Sequence, residues 1–436
     1  MTSPTRSPSV LGSGRSDATG DAGVADLARS LAERTVAVRR DLHQHPEIAF
    51  EERRTMGVIA RRLEELGLSP RTGVGGTGVV ALWDSGRPGP TVLARADIDA
   101  LPVAEENEVP YRSVIEGAMH ACGHDGHTAV LLSVAEIVLA RAEMLRGRVA
   151  FVFQPAEEIV RGAAAMLEDG ALDGVKVDHV IGLHLSSDQP TGTVAVRAGP
   201  TMAATDSFRL VVTGRGGHAA KPQEVVDSVV AAAEVITALQ TLVSRETDPI
   251  DQAVVSITSV HGGTAFNIIP ETVELKGTLR TFRADTRQRL RGRVLAVAEG
   301  VAALHGATLA SEWFEGSPAV VNDPAVTDWF RIVAAEVVGA DAVVTCDPMM
   351  GGDDMALWLQ QAPGCYFFVG SNGGEATAYP HHHPRFDLDE ASLPVAVAVL
   401  ATAVERLLLD GPADGPADGP ADGPADGPAG GRGVGG

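Results

Sequence analysis

Short runs of β-branched and small apolar residues alternate along this chain with longer stretches of helical period, and that alternation restricts the fold more than any other feature. Residues 79–84, 91–96, 148–153 and 179–185 read as strands, and residues 24–42, 51–66, 127–142 and Gly162–Glu168 as helices. Strands this apolar, separated by helices, predict an α/β core: a mostly parallel sheet covered by helices on both faces. In such a sheet the loops beyond the carboxyl ends of the strands converge on the ligand site, and the polar residues fall there. Asp97 and Asp99 follow one strand, Glu157 and Glu158 the next, and His184 closes the strand begun at His179. A further strand at 366–370 is followed by His381, His382 and His383.

From 203 to 313 the rhythm changes to strand, helix, strand, strand, helix, strand (207–213, 225–244, 253–260, 272–282, 286–305, 308–313). That βαββαβ order is the ferredoxin-like pattern. It divides the chain into a catalytic domain in two parts, 24–202 and 314–409, with an inserted second domain at 203–313. A small sheet with a free edge or face can pair with a copy of itself, so the insert is the expected dimerisation domain and the protein a homodimer or higher homo-oligomer. Residues 1–23 are rich in Ser, Gly, Thr and Asp, and residues 410–436 open with five Asp-Gly-Pro-Ala repeats. Neither holds enough apolar surface to order, and both are expected to be disordered tails.

The 436 residues exceed one ordinary core. A formal charge of -22 argues against nucleic acid or an anionic membrane surface as partner and leaves small-molecule chemistry. No uninterrupted apolar run is long enough to span a bilayer, and the first residues lack the apolar centre of a secretory signal, so a soluble cytoplasmic protein is expected. Cys122, Cys346 and Cys365 form an odd, widely spaced set unlike a disulfide framework.

The chemistry concentrates in residues 120–127, HACGHDGH, which gather three histidines, a cysteine and an aspartate ahead of a helical run. Thiolate and imidazole donors favour zinc, manganese, cobalt or nickel over magnesium or calcium. Two nearby ions need ligands on each and a shared one, and can lower the pKa of a water toward neutrality. Cys122, His124, Glu158, His184 and one histidine of the 381–383 triplet could supply that set, with Glu157 left over as general base. Each has a plainer alternative: Glu157 and Glu158 suit the first turn of a helix after Pro155, His184 a buried structural histidine, and the triplet an exposed loop. Their joint occurrence at the strand ends favours the metal site. His43, His45, His179, His261 and His305 are left as structural or surface histidines.

Eight segments, in order, resemble those of the dinuclear metallo-amidohydrolases, the family of hippurate hydrolases, bacterial N-acyl-amino-acid amidohydrolases and plant indole-acetyl-amino-acid hydrolases. They are RRDLHQHPEIAFEE from Arg39, ARADIDALP from Ala94, HACGHDGH, FQPAEE from Phe153, GLHL from Gly182, GRGGHAAKP from Gly214, FNIIPETVELKGTLRTF from Phe266 and HHHPRFDLDE from His381. The resemblance implies that Cys122, His124, Glu158, His184 and His382 hold two divalent transition-metal ions and that Glu157 is the catalytic base. His382 is chosen because it stands two residues before Pro384. The resemblance further implies that His218 reaches a partner's active site to polarise the scissile carbonyl, and that Asn267 and Arg280 hold the substrate carboxylate, a task suited to the planar guanidinium. The related carboxypeptidases and aminoacylases carry a histidine where Asp97 stands, so Asp97 is not expected to bind metal directly. Asp99 is expected to orient a metal ligand. The implied activity is metal-dependent hydrolysis of N-acyl amino acids, with dipeptidase or carboxypeptidase action of the same fold as the alternative.

Overall fold

The structure, a computed structural model, describes residues 23–412; the two expected tails lie outside the described residues apart from Gly23 and residues 410–412. An eight-stranded sheet runs, from one edge to the other, Arg71–Val74, Gly78–Asp84, Arg148–Gln154, Thr91–Asp97, His179–Pro190, Gly364–Asn372, Val194–Ala195 and Val343–Val344. The four central strands, Arg148–Gln154 through Gly364–Asn372, are mutually parallel, whereas Arg71–Val74, Gly78–Asp84 and Arg148–Gln154 pair antiparallel at one side. The sheet is therefore mixed, with a parallel centre.

Side chains of the central strands alternate between two cores, as the two-residue period of a strand requires. Val92, Ala94 and Ala96, with Val149, Phe151 and Phe153, Ile181 and Leu183, and Phe367 and Val369, face a large cluster. Leu93, Val152, Val180 and Tyr366 point the other way, onto Met166, Met355 and Trp358. Helices Val24–Gln44, His124–Ala140, Pro324–Val338 and Ser392–Asp410 cover the first face, through residues such as Leu42, Val134, Phe330 and Leu400. Each fully buried aliphatic or aromatic side chain contributes about 1.5–3 kcal/mol, so this double burial is what holds the strand ends in fixed relation. Helix Ser392–Asp410 is long and apolar enough to cross a membrane by length and composition, yet 72% of its apolar window is buried inside the protein. It is the central helix of this core.

A second, four-stranded antiparallel sheet has the order Ala253–Gly262, Thr272–Thr281, Ala204–Thr213, Thr308–Glu315. Helices Ser228–Ser244 and Ala284–Leu304 pack on it around Phe208, Leu210, Leu239, Leu275 and Val294. In chain order these elements run βαββαβ.

Several boundaries differ from the sequence reading. The strand from His179 continues to Pro190, so His184 lies within it and does not close it. The helix expected from 127 begins at His124, because Gly123 takes φ 89° at its N-terminus, a conformation that costs glycine little. Residues 156–158 are not a helix start: Ala156 has φ 52°, and the next helix begins at Gly162.

Candidate metal centre

His124 occupies the first turn of helix His124–Ala140, one face of which packs on the sheet so closely that a Cβ at Gly126 would stand 2.5 Å from Leu185 Cδ1. That fixes the ring beside the ends of the central strands. Its Nδ1 lies 3.0 Å from the Asp99 carbonyl oxygen and 3.2 Å from Asp99 Oδ1, so in the neutral ring Nδ1 carries the hydrogen and Nε2 the lone pair. Asp99 Oδ2 accepts the Glu158 N–H at 3.0 Å. One carboxylate thus orients both the His124 ring and the Glu158 backbone.

His124 Nε2 and Glu158 Oε1 are buried without a hydrogen-bond partner and lie 3.9 Å apart, with Glu157 Oε2 also 3.9 Å from the imidazole nitrogen. Two buried electron-pair donors facing each other are costly unless a cation or proton stands between them. Cys122 Sγ lies 3.6 Å from His184 Nε2, whose Nδ1 is occupied by the Leu185 carbonyl at 2.7 Å. His382 Nε2 reaches Glu158 Oε2 at 3.3 Å, although its side chain is 55% exposed. Donor atoms of Cys122, Glu158 and His382, of His124, Glu157 and Glu158, and of Cys122, His184 and His381 each lie within 4.8 Å of one another. Glu158 links the first two of these groups, as a shared ligand of a two-ion site would. The residues present fit divalent transition-metal ions.

Other acidic and imidazole groups nearby are already committed. His127 shares a hydrogen with Asp97 Oδ1 at 2.6 Å and accepts the Leu185 N–H at Nε2, so it ties helix to strand. Asp97 also takes Arg95 Nη1 at 2.7 Å on Oδ2, so both of its oxygens are engaged. Asp353 and Asp354 face Glu157, but their oxygens are held by Arg95, Tyr366, Gln154 and the backbone N–H groups of Ala163 and Met355.

The electrostatics separate the groups. Burial pushes the Glu157 carboxyl well above its ordinary range, and Asp353, Glu158 and Asp354 add to the shift. Glu158 is pushed up to about 7, by burial first. Burial also holds Cys122 high and His184 well below its usual value. His124 goes the other way: burial lowers it, but Asp97 and Cys122 outweigh burial and hold it well above. The pocket therefore keeps protons on its carboxyl and thiol groups where cations are absent.

These groups open on a cleft of about 260 Å³ whose lining includes Cys122, Glu157 and His184 together with the apolar Met202, Met349 and Phe368. His218, Asn267 and Arg280 are not among its lining residues. His218 sits exposed on the short strand Gly217–His218, its Nδ1 accepting the Ala220 N–H, and the Asn267 carbonyl accepts the Ala219 N–H. Arg280 is half-buried on strand Thr272–Thr281, where burial lowers its pKa. The single chain thus assembles the expected ligands and base, and leaves the three other candidates on the smaller sheet and its connections.

Sequence reasoning missed the polar web behind Glu157. Arg95 is fully buried and spans Asp97, Asp353 and Asp354, while Gln154 Oε1 accepts from both Arg95 and the Trp358 indole. Adjacent aspartates between glycines and the methionine that opens the short helix Met355–Leu359, GGDDM at 351–355, were the available signal. Glu52 was also missed: it accepts the Ala156 N–H at 3.0 Å and the Thr77 hydroxyl, and so holds the turn that carries Glu157.

Unpaired buried electron-pair donors around a cysteine and a carboxylate, with a second buried carboxylate alongside, have the make-up of a metal-dependent hydrolytic centre. The sequence comparisons agree: the model of peptidase family M20/M25/M40 matches residues 93–406, and the chain belongs to that family. A putative amidohydrolase, YhaA, of Bacillus subtilis is 42% identical over 373 residues, covering 85% of this chain and 94% of its own. The N-acetylcysteine deacetylase of the same organism is 42% identical over 367 residues, covering 83% and 94%. Among solved structures, Bacillus subtilis YXEP, described as a dinuclear metal binding peptidase of family M20, superposes with a TM-score of 0.76 at 39% identity, covering 87% of this chain and 99% of that one. The protein is a hydrolase of the metallo-amidohydrolase and peptidase type.

Proposed function

We infer that this enzyme hydrolyses N-acyl amino acids to a carboxylic acid and a free amino acid. The observation that carries the reading is the buried Glu157 carboxylate beside the unpartnered His124 Nε2 and Glu158 Oε1. Cys122, His124, Glu158, His184 and His382 would hold two divalent ions, which supply a Lewis acid for the amide carbonyl and a lowered pKa for water. Glu157 takes the proton of the attacking water and passes it to the leaving amine. Asp99 keeps the His124 lone pair and the Glu158 backbone in register. Met202, Met349 and Phe368 offer an apolar wall for the acyl group. His218 and Arg280, with Asn267, act in a homodimer: His218 on the scissile carbonyl across the subunit boundary, the other two on the substrate carboxylate. The deacetylase relative supports an acylated amino acid over an unblocked peptide.

The test is amino-acid release from acetyl, benzoyl, long-chain acyl and indole-acetyl amino acids beside unblocked dipeptides. It uses chelator-stripped protein, then protein resupplied with manganese, zinc, cobalt or nickel. Metal-restored cleavage of an acylated class is the expected result. Cleavage confined to dipeptides would overturn the reading in favour of a peptidase.

A further inference from the structure

The triplet His381–His383 carries three imidazoles where the H-x-P pattern needs one, and the structure gives each a separate environment. His382 reaches Glu158. His383 stacks on Tyr379 at 4.8 Å between ring centroids and accepts the Arg385 N–H at Nδ1. His381 turns inward: its Nδ1 lies 3.7 Å from Cys122 Sγ, its ring stands edge-on to His184 at 5.1 Å and packs on Phe386 at 4.8 Å. Across the ring, Nε2 faces the Ser187 N–H at 3.4 Å. A backbone N–H can only donate, so Nε2 is the lone-pair nitrogen and Nδ1 carries the hydrogen. The nitrogen nearest the sulfur is then a donor and has no electron pair for an ion.

We propose that His381 donates its Nδ1–H to the Cys122 thiolate and holds that sulfur in place for the metal ions, as a positioning residue and not as a ligand. The inference rests on the metal-centre reading above. A thiolate that bridges or binds ions keeps lone pairs to spare, and a fixed donor on one of them sets its orientation and draws off part of its charge. Such a bond lowers the energy of the filled sulfur orbitals, and so raises the energy of thiolate-to-metal charge transfer.

The experiment loads the full-length protein with cobalt(II) and records the near-ultraviolet thiolate-to-cobalt band and the visible d–d bands for wild type, His381→Leu and His381→Asn. Asparagine places an amide N–H near the position of Nδ1. Circular dichroism confirms folding, and chelator competition gives cobalt affinity. The expected result is a charge-transfer band shifted to longer wavelength in His381→Leu, with affinity weakened by roughly 10- to 100-fold, and return toward wild type in His381→Asn. Two bound ions and an unchanged d–d pattern should persist throughout. An unmoved charge-transfer band in His381→Leu overturns the proposal. So does a changed d–d pattern with loss of an ion that asparagine does not restore, which would make His381 a ligand. Absence of the band in wild type would remove Cys122 from the metal centre and the proposal with it.

Discussion

Replacing Arg95 with methionine removes the cation behind the proposed base while keeping much of the apolar stem. The guanidinium is fully buried, with Nη1 2.7 Å from Asp97 Oδ2 and Nη2 3.2 and 3.1 Å from Asp353 Oδ1 and Asp354 Oδ1. Removing one partner of a buried pair costs about 3–5 kcal/mol. Three pairs do not triple that figure, because Asp354, pushed up to about 7 by burial, takes a proton sooner than it stands unpaired. The loss falls on Asp353 and Asp97, which share the guanidinium, so about 3–5 kcal/mol is expected near neutral pH, a fall in Tm on the order of 10 °C. Asp97 is held well below the ordinary carboxylate range: burial opposes this, and His124, His127 and Arg95 outweigh burial. A depressed folded pKa contributes stability above the unfolded value of about 3.9, and that stability is lost as pH falls through the folded value. Asp354 adds to the deficit only above its pKa of about 7. The gap between wild type and Arg95→Met should therefore be widest in alkali, narrow as pH falls through 7, and close further only in strong acid. Urea unfolding of metal-stripped protein, followed by circular dichroism from about pH 8 to about pH 5, reads this directly. A gap below about 1 kcal/mol at neutral pH, or one that widens as pH falls, would refute the reasoning.

Two further substitutions separate chemistry from support. Glu157→Gln should keep the metal content and Tm of wild type while kcat falls by about 10²–10⁴-fold, the usual share of a general base; full turnover with metal bound would remove Glu157 from the mechanism. Glu52→Ala takes the acceptor from the Ala156 N–H, at a residue with φ 52°, and should cost about 1–3 kcal/mol of stability for the unmade buried bond. Because the same turn carries Glu157, kcat should fall by roughly 10- to 100-fold with KM and metal content little changed. A lowered Tm with unchanged kcat would make Glu52 a structural residue alone.

Most of the candidate ligands were legible in the sequence because they stand in or beside a strand or helix whose apolar period is unmistakable; His382, in the loop between Gly364–Asn372 and Ser392–Asp410, was legible only through its place two residues before Pro384. Thr91–Asp97 and Arg148–Gln154 are buried along nearly their whole length, so the polar residues that follow them could only be at a strand end. His184 was placed one step wrong, at a strand end, because the polar run Ser186–Pro190 looks like a loop; pairing with Gly364–Asn372 keeps it extended. The antiparallel edge was invisible, since strand Arg71–Val74 has only one buried residue and takes its register from a neighbour. Long-range polar contacts were the harder loss. Arg95 meets Asp353 and Asp354 across some 258 positions of sequence, and no local period reports that meeting. The same holds for His381, which is adjacent to His382 in sequence yet lies against Cys122 while His382 reaches Glu158.

The charge balance joins these observations. Asp97, Asp99, Glu157, Glu158, Asp353 and Asp354 stand in or beside one buried pocket with Cys122, and Arg95 is the guanidinium that reaches into the cluster. A fold that buries so many acids cannot keep them all ionised without cations. It settles the excess unequally. Asp97 is kept charged by Arg95 and two imidazoles, whereas Glu157, Glu158 and Asp354 are held in the raised direction, chiefly by burial. The division follows position. Asp97 and Asp99, locked to His127 and His124, build the frame, while Glu157 and Glu158 face the unpartnered imidazole nitrogen, where binding a cation and releasing a proton are alternatives. The buried acids that suit the pocket to divalent ions are therefore also the ones that raise the Glu157 carboxyl, so in the proposed reaction metal binding and the protonation of Glu157 would be coupled through one excess of buried negative charge.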